Sequence, residues 1–372
     1  MRANNILGIL FSNSFDEALP ELTNLRTMGS VPFGGRYRLI DFPLSGMVNS
    51  GIKKVGVITK SNYRSLMDHL AQGRPWDLAR KNEGLVLLPP FAGGGIGGNQ
   101  TRMEGLTGAL DFLRNSKEEY VVMSDCHTVC NLDYQQLFRA HKASGADFTI
   151  AAKRGKAPRL DCMRLQADPA QNMRVTEIAM SREEAGDCLY SLNTFVLRKA
   201  LLERQLQEAM NLGYGDFMRD LLQPQVGKLR FHAAEVTDYA RVIDSLQGYY
   251  DASMELLRPA TRRALFDPRR PVLTNVHDDM PTIYGLHSNI QRSFVANGCQ
   301  LEGEAESCVL FRGVRIEEGA VVRNSILMQG TYISAGVRLE NVIADKDVTI
   351  KPGKTLVGTE NYPIYLGKGI VV

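Results

Sequence analysis

From residue 281 onward a single apolar side chain returns about every six positions, with Gly, Asn or Asp between, and few architectures tolerate that spacing. The stretch "FVANGCQLEGEAESCVLFRGVRIEEGAVVRNSILMQGTYISAGVRLENVIADKDVTIKPG" carries it through Val295, Leu301, Val314, Ile316, Val321, Ile326, Ile333, Val337, Val342, Val348 and Ile350. No helical period fits these positions. The spacing predicts a hexapeptide-type β-helix, each apolar residue pointing into the coil and Gly or Asn taking corners where φ is positive. A small β-sandwich is the alternative for so turn-rich a texture.

Upstream the texture is different. Compact apolar runs at 5–12, 53–60, 119–125, 147–153 and 189–198 read as strands between turn signals. Segments 63–73, 106–116, 133–145, 198–213 and 241–258 read as helices, with apolar residues at i, i+3 and i+4. Such alternation implies βαβ units and a mostly parallel, Rossmann-like sheet. We therefore expect an α/β domain over 1–258, a linker rich in Pro and Arg over 259–280, and the β-helix over 281–372.

Composition narrows the function. A net charge of +3 over 372 residues is too small to argue for nucleic acid or an anionic membrane surface. No apolar stretch reaches the length of a membrane span, and the run in "MRANNILGILFSN" is short for a signal-peptide core. Six cysteines without framework spacing point to reduced thiols and a cytoplasmic setting. "DCHTVC" lacks a second ligand pair for zinc, and "NQT" at Asn99 carries no meaning for a cytoplasmic chain.

The chemistry is expected where "VVMSDCHTVCNLDY" ends its apolar run in Ser124, Asp125, Cys126 and His127, because α/β enzymes place their sites at the carboxyl ends of strands. A cysteine there is odd: Mg²⁺ is hard and takes oxygen, so a thiol is a poor ligand. His127 reads as a strand-end residue satisfied by backbone, and the other histidines make no triad or ligand spacing. "FAGGGIGG" (91–98) follows "LVLLPP" instead of opening a helix, so it reads as a surface loop.

Several long stretches, "FGGRYRLIDFPLS", "NSGI", "PWDL", "ANGCQLEGE", "LFRGV" and "LVGTENYPI", closely resemble the bacterial ADP-glucose pyrophosphorylases (glucose-1-phosphate adenylyltransferases) over nearly the whole chain. The resemblance implies a nucleotidyltransferase-type α/β domain followed by a left-handed β-helix. It also implies a reaction in which ATP and glucose 1-phosphate give ADP-glucose and pyrophosphate. Its landmarks, however, are altered one after another. The Gly-rich phosphate loop G-G-x-G-x-R falls on Asn13, Ser14, Phe15, Asp16, Glu17 and Ala18, so two acids and a phenylalanine stand in a loop whose glycines should let backbone approach phosphate, and Ala18 replaces the arginine. The lysine before "VPFGG" falls at Met28. The Mg²⁺ aspartate of S-G-D-H falls at Cys126, with Asp125 one residue out of register and so facing the other way on an extended chain. The second metal aspartate falls at Val242, with Asp244 nearby, and the sugar-phosphate lysine at Ser181, between Met180 and Arg182. Of G-T-A-N/D-A, only Gly105 and Ala109 are kept across Gly105, Leu106, Thr107, Gly108 and Ala109.

This pattern is most like the non-catalytic GlgD-type subunit. It implies no Mg²⁺ or other cofactor of its own, the metal belonging to a catalytic adenylyltransferase partner, and a hetero-oligomer, expected as a heterotetramer, assembled through the β-helix and the "PWDL" surface. Arg36 and Arg38 match basic positions of the family's effector region, where a sugar-phosphate effector would bind or subunits would pack. The alternatives are an active transferase whose metal site is rebuilt from Asp125 or Asp244, and a sugar-phosphate sensor without chemistry.

Overall fold

A computed structural model of the chain describes residues 5–60, 62–80, 83–89, 101–158, 162–181 and 186–372. The loop expected at 91–98, Asn99 and Arg182 lie outside those residues.

A mixed nine-stranded sheet organises the first part of the chain. Its strands are β1 (Ile6–Phe11), β2 (Lys54–Ile58), β3 (Gly84–Leu88), β4 (Tyr120–Asp125), β5 (Phe148–Lys156), β6 (Cys162–Asp168), β7 (Arg174–Ser181), β8 (Asp187–Arg198) and β9 (Phe231–Glu235). They lie in the order β3-β2-β1-β4-β8-β5-β9-β7-β6. β1, β2, β3 and β4 run parallel, whereas β8 is antiparallel to both β4 and β5. β1 is apolar and buried along its whole length, as a strand in a sheet covered on both faces requires.

Covering helices are α1 (Asp41–Asn49), α2 (Arg64–Leu70), α3 (Arg102–Gly108), α4 (Leu110–Arg114), α5 (Tyr134–Ser144), α6 (Lys199–Leu212), α7 (Leu246–Glu255) and α8 (Pro259–Leu265). Three expectations change. The helix expected over 106–116 is two short helices meeting at Ala109. The expected helix 241–258 begins instead with a strand, Ala240–Val242, paired antiparallel with Thr128–Cys130. "PWDL" is surface only in part: Asp77 is exposed, but Trp76 and Leu78 are buried, and Trp76 Nε1 donates to Ser45 Oγ at 3.2 Å. An indole buried whole needs such an acceptor.

The C-terminal part is a left-handed parallel β-helix of three five-stranded sheets. Leu301, Ile316, Ile333 and Ile350 stack in register along one sheet and fill the coil, all fully buried. Val322, not the expected Val321, takes the inward position of its strand. Corners at Gly313, Gly330 and Gly336 hold φ of 68°, 73° and 72°, which glycine adopts without the penalty of a β-carbon.

The two parts share a core. Phe33, Phe42, Tyr249 and Leu265 pack in one cluster with Val309, Phe311, Ile326 and Ile343 of the β-helix. Across the joint Arg26 donates twice to Asp345, Nη1 to Oδ1 and Nη2 to Oδ2, both at 2.9 Å and both buried. The segment 259–280 opens with helix α8, whose Leu265 belongs to that cluster.

Candidate active site

Phe11 and Asp125 are register partners at the carboxyl ends of β1 and β4, so the loop after β1 and the cluster after β4 leave the sheet side by side. The loop closes on itself. Phe15 takes a left-handed conformation (φ 65°) and sets its ring 4.4 Å from that of His127. Asp16 accepts from the Met28 N–H at 2.7 Å and from Asn13 Nδ2 at 2.7 Å. Asn13 Oδ1 in turn accepts from the Lys60 N–H at 2.7 Å. The loop's own carboxylate thus takes up both donors, so neither is offered to an outside anion. Burial raises the Asp16 carboxyl from 3.8 to about 6 against the pull of those two hydrogen bonds and of Lys60. Glu17 is exposed, Ala18 half-buried, and Met28, the position expected to match a lysine, fully buried.

The two positions matched to metal carboxylates do converge. Val242 pairs with Thr128, and the Ile243 N–H donates to His127 O at 2.8 Å. Cys126 is buried against Gly29, where a β-carbon would lie 3.5 Å from the sulfur, and burial raises its thiol pKa well above the ordinary value. Burial also holds the His127 imidazole down at about 4, so at neutral pH it is uncharged. Asp244 accepts from Ser245 Oγ at 3.1 Å, beside the start of α7.

Arg102, which the sequence reading passed over, completes the arrangement. Thr101 and Glu104 form a reciprocal capping box that starts α3 and puts Arg102 in its first turn. From there its guanidinium reaches Asp125 in a buried ion pair. It also lies 4.4 Å from the centre of the Phe11 ring, 5.7 Å from Phe195 and 5.8 Å from Phe217. The T-x-x-E pattern could have located the helix start, but nothing local marks the partner, which comes from another strand.

A cleft of about 600 Å³ remains beside this pair, lined by Asn13, Ser14, Phe15, Arg102, Gly105 and Met180 among others. The altered phosphate loop, the start of the altered G-T-A segment and the neighbour of Ser181 therefore do meet; Ser181 ends β7. Mg²⁺ does not fit what is present: a protonated thiol, a valine, and a carboxylate already carrying a guanidinium. Among the described residues no group of three or more His, Cys, Asp or Glu is placed to hold a metal ion.

Arg36 and Arg38 stand away from the cleft, at the seam with the β-helix. Arg36 is exposed and donates to Tyr37 OH at 3.1 Å. Arg38 donates to Ser65 Oγ at 2.9 Å, and burial together with nearby Arg26 and Arg312 lowers it to about 10. Burial, then Arg38 and Arg26, lower Lys346 to about 8.

An α/β sheet with a cleft at the carboxyl ends of its central strands, joined to a left-handed β-helix, defines a nucleotidyltransferase-type chain. The nucleotidyl transferase family matches residues 17–175, and a GlmU-like C-terminal hexapeptide family matches 280–362. The chain is 36% identical to glycogen biosynthesis protein GlgD of Bacillus subtilis, covering 99% of this chain and 97% of that one. It is 38% identical to GlgD of Geobacillus stearothermophilus at the same coverage, and 32% identical to glucose-1-phosphate adenylyltransferase of Thermotoga neapolitana over 86% of this chain and 76% of that one. The chain belongs to the glucose-1-phosphate adenylyltransferase and GlgD family. No helix among the described residues is long and apolar enough to cross a membrane.

Proposed function

We propose that this chain is a regulatory, catalytically deficient subunit of glucose-1-phosphate adenylyltransferase, acting in cytoplasmic glycogen biosynthesis. In this reading it assembles with a catalytic paralogue that makes ADP-glucose from ATP and glucose 1-phosphate, in a heterotetramer, and the Mg²⁺ belongs to the partner. The observation that carries the reading is the Arg102–Asp125 pair. It neutralises the acidic group nearest Cys126, and the resemblance matches Cys126 and Val242 to the family's two metal carboxylates. Nucleotidyl transfer rests on positioning and charge neutralisation, and this arrangement offers neither to a metal-bound triphosphate. A metal site rebuilt from Asp125 would first have to break that pair.

The chain can influence a partner only by contacting two of its states differently. The first coil of the β-helix supports an assembly role, because Ile283, Tyr284 and Leu286 are exposed on it. The cations at the seam, with Arg36 and Arg38 among them, support a phosphate-bearing effector there. Titrating this chain into a catalytic paralogue tests the reading. Stable co-elution, with a change in kcat, KM or effector response that saturates at a fixed ratio, is expected. Co-elution with unchanged kinetics, or no complex at all, would overturn it.

A further inference from the structure

The opposite end of the sheet carries a second concavity that the cleft does not use. It is a groove of about 630 Å³ at the amino ends of β4, β5 and β9, beside the start of α6. Lys142, Arg198, Arg204 and Arg230 line it, with Asp147 as the one carboxylate among the described lining residues. Asp147 is turned back to the chain: its Oδ2 accepts from the Arg230 N–H at 2.9 Å, leaving the Arg230 Nε 3.9 Å away. Lys142 is held by a phenol and an aromatic face, donating to Tyr120 OH at 2.6 Å with its ammonium 4.5 Å from that ring's centre. Neither Arg198 nor Arg204 has an ion-pair partner among the described residues, and no side chain caps α6, which begins at Lys199 on the rim. Four cations facing one concavity repel one another in the free chain, a cost that a bound anion removes.

We propose that this groove binds a small phosphate compound carrying two or more negative charges. Arginine forks and a lysine point charge are the groups that recognise phosphate oxygens, and the volume suits a ligand of sugar-phosphate size. The cations surround a hollow instead of following a stripe, which favours a small ligand over a nucleic acid. The neighbouring His141 registers the same field. Burial first, then Lys142 and Arg198, hold its imidazole at about 4. The site is independent of the regulatory reading, since the cleft and the Arg36–Arg38 seam lie elsewhere.

The test is calorimetric titration and thermal unfolding of the full chain with pyrophosphate, against sodium chloride of matched ionic strength. We expect saturable binding that raises Tm. In Arg198→Ala/Arg204→Ala, two exposed positions, affinity should fall at least about tenfold with the unliganded Tm kept. The single variants Arg204→Gln and Arg230→Gln should each weaken binding. Absence of binding by the parent chain overturns the proposal. So does unchanged affinity in the double and both single variants, which would put the anion in the cleft or at the seam.

Discussion

Arg102 and Asp125 form a buried ion pair at the carboxyl end of β4, with the guanidinium laid 4.4 Å from the centre of the Phe11 ring. Removing one partner of such a pair leaves an uncompensated charge in a low-dielectric site. Arg102→Ala should therefore cost about 3–5 kcal/mol, read as a lower urea midpoint at unchanged slope. Adding Asp125→Asn should recover much of that loss, because no charge is then stranded. A single-variant cost below about 1 kcal/mol would mean that the pair does not hold the cleft together.

Restoring the carboxylates alone should fail. Cys126→Asp puts a second acid into a fully buried position next to Asp125, at an expected cost of about 3 kcal/mol or more. Cys126→Asp/Val242→Asp should show no Mn²⁺ binding by electron paramagnetic resonance while Arg102 remains. Adding Arg102→Ala should produce it. Metal binding by the double variant would contradict the role given to Arg102.

Asp16 gives a pH dependence with a defined sign. Its carboxyl lies at 3.8 ordinarily and at about 6 in the folded chain, so the native state keeps a proton that the unfolded chain has lost. The stability it contributes is complete below pH 3.8 and is lost as pH rises through 6, on the order of 2–3 kcal/mol. His127 works the other way. Its imidazole falls from 6.5 to about 4, so it costs stability as pH drops below 6.5. The difference in unfolding free energy between the parent and Asp16→Asn isolates the carboxyl. That difference should shift by about 2–3 kcal/mol between pH 4 and pH 7, the parent losing ground as pH rises. A flat difference would refute it.

Arg26 and Asp345 fasten the loop region to the β-helix, and Tyr365 OH lies between Asp345 and Glu21, donating to Asp345 Oδ2 at 3.1 Å or to Glu21 O at 2.6 Å. Asp345→Asn should cost about 3 kcal/mol or more, since Arg26 is left buried without its counter-charge, and Tyr365→Phe about 1 kcal/mol. Denaturant unfolding followed at both parts of the chain checks this. Near-equal costs for the two variants would argue against a charge-based joint.

What the sequence revealed follows from how local each signal is. The inward ladder of Leu301, Ile316, Ile333 and Ile350 announces itself, because a coil repeats its own environment. Val321 and Val322 are adjacent valines, and only the backbone pleat decides which turns inward. The convergence of positions 126 and 242 was legible only through family resemblance; the ribbon that joins them pairs segments more than a hundred residues apart. "YARVIDSL" read as helix because its apolar spacing suits either form, and pairing with Thr128–Cys130 settled it as strand at its start. "PWDL" looked like a surface, yet Trp76 found an acceptor in Ser45 and went inside. Arg102 carried no signal, since its partners Asp125, Phe195 and Phe217 come from distant segments.

The central claim is that the cleft cannot carry out nucleotidyl transfer. It is tested most directly by pyrophosphate release from ATP and glucose 1-phosphate, with Mg²⁺, by the purified chain alone and then with a catalytic paralogue added. We predict no release above background from the chain alone, and a rate in the mixture that differs from that of the paralogue by itself. Turnover by the isolated chain, abolished by Asp125→Ala, would contradict the account.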